Sequence, residues 1–316
     1  MYLSFYQMKD EPFRLTPDPR YLHLSESHQA ALAVLLNGIL YRKGLVMITG
    51  RIGTGKTTLI HTALHMLTDF TKQKLPIRSA LLFNPTLTRD EFLEMMLEEF
   101  EVNCTSTSKP RRLMALHQML LETQRSGGTA VLFIDEAHLL SPELLEEIRL
   151  LGNADTHQEK LLQIVLSGQP ELLTMMNKRE LSALQQRIAG RAHLRPLNQP
   201  EVCAYVAERL HFAGLKGTSP FPTQTLETVL RYTGGVPRLI NLVCGECLTL
   251  GFKTQRRLIE PDIVEEAATA LNLAGPTTVP EKKAPVTFPA ATSVANKSIV
   301  DNLIEAMRQN RAAALE

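Results

Sequence analysis

Eight residues constrain this chain more than any others. Gly50-Arg51-Ile52-Gly53-Thr54-Gly55-Lys56-Thr57 satisfies G-x-x-x-x-G-K-S/T in full. The motif follows an apolar run of strand length at 45–49 and precedes a helical pattern at 57–70. A glycine-rich turn in that setting lets successive backbone N–H groups face one centre, and the helix adds the positive end of its dipole. The loop is therefore predicted to cradle the phosphates of a nucleoside triphosphate. Lys56 is expected to reach the β- and γ-phosphates and Thr57 to ligand Mg²⁺, with Gly50, Arg51, Ile52, Gly53, Thr54, Gly55 and Thr58 completing the binding loop.

Around that loop, short apolar runs alternate with helical patterns. Strands are predicted at 45–49, 79–83, 130–134, 162–167 and 193–197. Helices are predicted at 27–40, 57–70, 90–100, 111–125, 142–151 and 181–191. Such alternation implies an α/β fold, a parallel sheet covered on both faces. After Pro200 the strands stop, and helices are expected at 201–212, 223–232, 237–252 and 260–271 as a small all-α lid. At 316 residues the chain has room for about two domains of roughly 150 residues. The boundaries follow as 1–198 (irregular amino-terminal segment plus core) and 199–272 (lid). A Pro/Ala/Thr-rich linker at 273–297 and a short amphipathic helix at 298–316 complete the chain.

A second motif lies about 80 residues beyond the loop: four apolar residues, Val131 to Ile134, deliver Asp135 and Glu136 at a strand end. Asp135 is placed to hold Mg²⁺, and Glu136 to orient and polarise an attacking water, which is most of what phosphoryl transfer requires. His138 follows and completes an Asp-Glu-Ala-His box like that of helicases, although the remaining helicase motifs are missing. At the tip of the 162–167 strand, Gln169 is the first choice for a polar contact to the γ-phosphate or the water, and Ser167 the second. Asn84, at the end of another strand, is placed to hold Glu136 away from the water until ligand arrives.

Two further motifs are basic. Gln186-Arg187-Ile188-Ala189-Gly190-Arg191 is expected to end a helix far from its own phosphates. From there Arg187 or Arg191, a planar and permanently charged fork, would reach a neighbouring subunit's γ-phosphate. Gly234-Gly235-Val236-Pro237-Arg238 opens the third lid helix. A cation in a first helical turn is unfavourable on dipole grounds, and an anionic ligand at Arg238 would account for it. Cys244 and Cys247, one turn apart in an apolar helix, read as core residues rather than as a metal or redox pair.

This order of motifs resembles the AAA+ superfamily. The opening Phe5-Tyr6-Gln7-Met8-Lys9-Asp10-Glu11-Pro12-Phe13 and Leu15-Thr16-Pro17-Asp18-Pro19-Arg20-Tyr21-Leu22, with Leu24-Ser25, His28 to Leu32 and Ser167-Gly168-Gln169-Pro170-Glu171-Leu172, resembles the ExeA/GspA ATPases of the general secretory pathway. The resemblance spans about residues 1–270. It implies ATP as nucleotide, Mg²⁺ as cofactor, a homo-oligomer with an arginine supplied in trans, and assembly of a secretion or type IV pilus machine beside an inner-membrane component, as in MshM-type relatives. Transposition regulators of the TnsC/TniB kind share the same core, so a DNA-associated ATPase is the alternative.

Composition bears on partners and place. The formal net charge of +1 lacks the basic footprint of a nucleic-acid binder. No apolar run approaches the ~18–20 residues that span a bilayer, and the amino terminus lacks the basic flank of a signal peptide. A cytoplasmic protein, held at a membrane only through a partner, is the expectation.

Overall fold

The computed structural model describes residues 2–16, 23–71, 76–83, 86–155, 159–273 and 275. A helical turn, α1 (Tyr2–Phe5), precedes α2 (Glu26–Leu40), β1 (Leu45–Gly50), α3 (Lys56–Thr71), β2 (Ile77–Leu82), α4 (Arg89–Glu99), α5 (Lys109–Arg125) and β3 (Thr129–Ile134). Then come α6 (Pro142–Leu151), β4 (Leu162–Gly168), α7 (Glu171–Met176), α8 (Ser182–Gln185) and β5 (Ile188–Leu194). Four helices follow: α9 (Gln199–Phe212), α10 (Thr223–Thr233), α11 (Pro237–Lys253) and α12 (Pro261–Ala270).

The strands form one parallel sheet in the order β2-β3-β4-β1-β5. Every residue of β1, β3 and β4 is buried. Alternate residues face opposite cores. Ala130, Leu132 and Ile134 pack with Phe92, Leu116 and Leu145 on one side, while Val131 and Phe133 pack with Leu32, Leu35 and Leu59 on the other. Two covered faces explain why these strands read as continuous apolar runs. The sheet and the four-helix lid follow the expected fold class.

One stretch departs from expectation. The helix foreseen over 181–191 ends at Gln185, and a strand runs over Ile188–Leu194 instead of 193–197. The free edge of β1 decides this. It pairs with β5 from Leu45↔Ile188 to Gly50↔Leu194, satisfying a row of backbone groups that a helix would leave open. Leu194 and Ala192, two residues apart, both turn to the α2–α3 side of the sheet.

The lid has its own core, and residues near the amino terminus share it. Tyr6, Met8 and Phe13 are buried with Val202, Ile240, Val243 and Val264. Arg209 of α9 donates to Pro12 O at 2.8 Å, and the Tyr6 hydroxyl to Arg256 O at 3.0 Å. Cys244 and Cys247 are fully buried here, and burial pushes both thiols well up, as suits core residues. Several contacts join lid to core. Leu197 N donates to Gly235 O at 2.8 Å, and Arg195 bridges Glu26 of α2 (2.9 Å) and Glu201 of α9 (2.7 Å). Among the described residues no helix is long and apolar enough to cross a membrane. The expected 298–316 helix lies outside the described residues, as does the linker apart from Leu273 and Gly275.

Candidate nucleotide site

β1 ends in the glycine-rich loop and α3 begins at Lys56, so sheet and helix together aim the loop's N–H groups. Gly53 adopts φ +78°, a conformation that favours glycine. The Thr54 hydroxyl closes the turn onto Arg51 O at 2.8 Å. Lys56 is 6% exposed, and its ammonium donates to Gly50 O at 2.9 Å and Arg51 O at 3.3 Å. Burial lowers its pKa, while Glu136 and Asp135 pull the other way. An amine held by carbonyls in a desolvated cleft could exchange them for the oxygens of an anion.

A brace behind the loop was not evident from the sequence. His28 Nε2 donates to Thr54 O at 2.9 Å, and its Nδ1 accepts from Ser25 Oγ at 2.6 Å. Ser25 is also the N-cap of α2. Burial pushes the His28 pKa down and keeps the ring neutral, the form these partners require. The only local signal was a cap serine three residues before a histidine, and nothing in it points to a loop 26 residues on.

β3 delivers the acids. Asp135 is 3% exposed; its Oδ2 accepts from Thr57 Oγ1 at 2.6 Å and its Oδ1 from Glu136 N at 2.9 Å. A hydroxyl and a carboxylate meeting at the foot of the loop are the hard oxygen donors that Mg²⁺ prefers, so the donor set fits that ion. Glu136 sits at φ +51°, ψ +34°, and its Oε2 is buried without a hydrogen bond. A left-handed non-glycine residue carries strain of about 1–3 kcal/mol, which tends to collect at functional sites.

Gln169 lies just past the tip of β4, within reach of the acid turn through His138, whose Nε2 is 2.9 Å from the Gln169 side-chain nitrogen. Ser167 is fully buried, and its hydroxyl has no hydrogen-bond partner. Asn84 lies outside the described residues. Arg238 occupies the first turn of α11, exposed, and its backbone N donates to Gly53 O at 3.2 Å, so lid and loop touch directly.

Arg187 and Arg191 need relocation from the expected helix end. Arg187 is in the α8–β5 junction, donating to Arg149 O at 2.8 Å, and Arg191 lies within β5 opposite Met47. The junction adjoins Leu45, at the opposite end of β1 from Gly50. Five strand steps of about 3.3 Å put it roughly 17 Å from the loop of its own chain.

A cavity of about 220 Å³ opens over the loop, lined among others by Gly53, Lys56, Thr57, Glu136, Tyr205 and Arg238. Core, lid and amino-terminal segment all contribute walls, since Arg14 and Thr16 line it too.

Comparison with known proteins agrees with this geometry. The AAA domain family matches residues 39–176. Over 268 residues the chain is 39% identical to general secretion pathway protein A of Aeromonas hydrophila, covering 83% of this chain and 47% of that protein. The chain thus spans about half the length of that relative. In fold it is similar to the ORC2 protein of Aeropyrum pernix (TM-score 0.62, 18% identity, 83% of this chain and 72% of that one). It is also similar to a chain of Drosophila ORC bound to DNA (TM-score 0.66, 18% identity, 87% and 67%). Residues 39–176 thus match the AAA domain family, and over 268 residues the chain is a sequence relative of general secretion pathway protein A.

Proposed function

We propose that this chain hydrolyses ATP to ADP and phosphate, as a Mg²⁺-dependent homo-oligomer whose turnover energises assembly of a secretion or type IV pilus machine. The observation that carries the enzymatic part is the meeting of Lys56, Thr57, Asp135 and Glu136 at one end of β1 and β3. Lys56 would bind the β- and γ-phosphates and Thr57 and Asp135 would hold the metal, which when bound neutralises phosphate charge. Glu136, partly exposed beside the loop, would orient the water that attacks the γ-phosphorus and draw off its proton as ADP leaves. Arg238, on the lid, would sense the γ-phosphate and report occupancy to α11. Arg187 is too far from its own loop to act there, which supports a role on a neighbouring subunit's nucleotide. The pathway assignment rests on the likeness to general secretion pathway protein A, and a cytoplasmic location beside an inner-membrane partner goes with it.

The deciding experiment is ATPase rate against protein concentration, with and without DNA, at two salt concentrations, with Lys56→Ala as control. Specific activity that rises with concentration, ignores DNA and vanishes in Lys56→Ala supports the proposal. Activity that appears only with DNA and disappears at high salt would move the function to DNA, because phosphate contacts release counterions.

A further inference from the structure

His138 has no role in the reaction as described, yet it lies between Glu136, which has one, and Gln169 just past the tip of β4. Its Nδ1 is 3.3 Å from Glu136 Oε2, and its Nε2 is 2.9 Å from the side-chain nitrogen of Gln169. The His138 side chain is only 11% exposed, so the contacts form in a largely desolvated pocket. Three features build it. β3 and β4 are paired, which sets the acid turn beside Gln169. The left-handed backbone of Glu136 starts a tight turn over Ala137–Leu139, closed by Leu139 N on Glu136 O at 2.9 Å, and that turn swings the imidazole back toward the carboxylate. The Gln169 backbone N–H also approaches Nδ1, at 3.5 Å.

Gln169 thereby presents a donor to each ring nitrogen, and only one can be used at a time. When its side-chain amide donates to Nε2, the ring proton is on Nδ1 and faces Glu136 Oε2. When its backbone N–H donates to Nδ1, the proton is on Nε2, the amide turns its oxygen to it, and the carboxylate loses its donor. In the structure Glu136 Oε2 lies 3.3 Å from Nδ1 and accepts no hydrogen bond.

The geometry points to His138 as a positioning residue that couples Gln169 to Glu136. By choosing the imidazole tautomer, the polar group at the tip of β4 decides whether the Glu136 carboxylate is held. This inference rests on the ATPase reading above and adds to it a third residue, acting through the other two.

The test compares wild type, His138→Ala, His138→Asn, Gln169→Ala and the His138→Ala/Gln169→Ala double variant, with Lys56→Ala as control. Turnover, KM for ATP and binding of a fluorescent ATP analogue are measured for each. A displaced catalytic group costs about 10–100-fold in rate. His138→Ala is expected to lower kcat by that factor with nucleotide affinity within about twofold. His138→Asn, whose amide can donate toward Oε2, should recover part of it. The double variant should be no slower than the slower single, as for residues acting as one unit. In the nucleotide-free protein, ¹⁵N spectra of the histidine rings should show a His138 signal that moves between tautomers in Gln169→Ala. Unchanged kcat in His138→Ala, an equal loss in the Asn variant, multiplicative losses in the double variant, or a ring signal indifferent to Gln169 would each overturn the coupling. Hydrolysis undiminished in Lys56→Ala would sink the ATPase reading, and the coupling with it.

Discussion

The Thr57 hydroxyl donates to Asp135 Oδ2 across 2.6 Å, tying the first turn of α3 to the end of β3. The two residues are 78 apart in the chain and meet because β4 alone separates β1 from β3 in the sheet. On the proposed reading, both oxygens would hold one divalent cation.

Asp135→Asn keeps the shape and removes the charge. It should bind nucleotide but lose about 100-fold or more in kcat, within the range for deleting one preorganised electrostatic contact. Thr57→Ser should retain most activity and Thr57→Ala little, as read by steady-state hydrolysis at saturating Mg²⁺ and ATP. Near-native turnover in Asp135→Asn would refute the metal assignment.

Glu136→Gln should bind ATP and hold it unhydrolysed, and Arg187→Ala should fail for want of the neighbour's cation. Mixed together, the two inactive proteins should regain measurable hydrolysis, because an intact arginine and an intact glutamate then meet at some shared sites. No recovery at any mixing ratio would count against the trans arrangement. Arg191→Ala, altered within β5, serves as the comparison.

Gly235 seats the lid. It adopts φ +75°, and a β-carbon there would lie 2.0 Å from Leu197 O. Gly235→Ala should therefore cost at least about 2 kcal/mol through strain and overpacking. In a protein of this size that lowers Tm by several degrees. Calorimetry showing an unchanged Tm would mean that the seam is not held as described.

His28 makes stability depend on pH. Burial depresses its folded pKa below the ordinary 6.5, so as pH falls through 6.5 the unfolded chain takes up a proton that the folded one refuses. The stability is therefore present above about pH 6.5 and drains away below it. His193, also lowered by burial, acts in the same sense. Urea unfolding at pH 7.5 and 5.5 should show a smaller loss in His28→Gln than in wild type. An identical slope would remove the loop brace from the account.

Much of this protein was legible in its residues. The glycine-rich loop is one contiguous motif, so its place between strand and helix follows from local backbone geometry. Apolar strands ending at the acid pair and at Gln169 revealed a doubly covered parallel sheet, because burial on both faces leaves a signal in composition alone. Cys244 and Cys247 were readable as core for the same reason. At 181–191, leucine and isoleucine at helical spacing suggested a helix, and the unpaired edge of β1 overrode it.

What the sequence by itself determined was the glycine-rich loop between strand and helix, the acid pair at a strand end and a parallel sheet covered on both faces, since each depends on neighbours within a few residues. Only the tertiary structure decided that His28 braces the loop, that Thr57 reaches Asp135, that Arg238 touches Gly53 through its backbone and that His138 sits between Glu136 and Gln169. Those contacts arise where separate strands and helices converge, and the physical reason they escape a linear reading is that strand order and lid placement set them, not spacing along the chain.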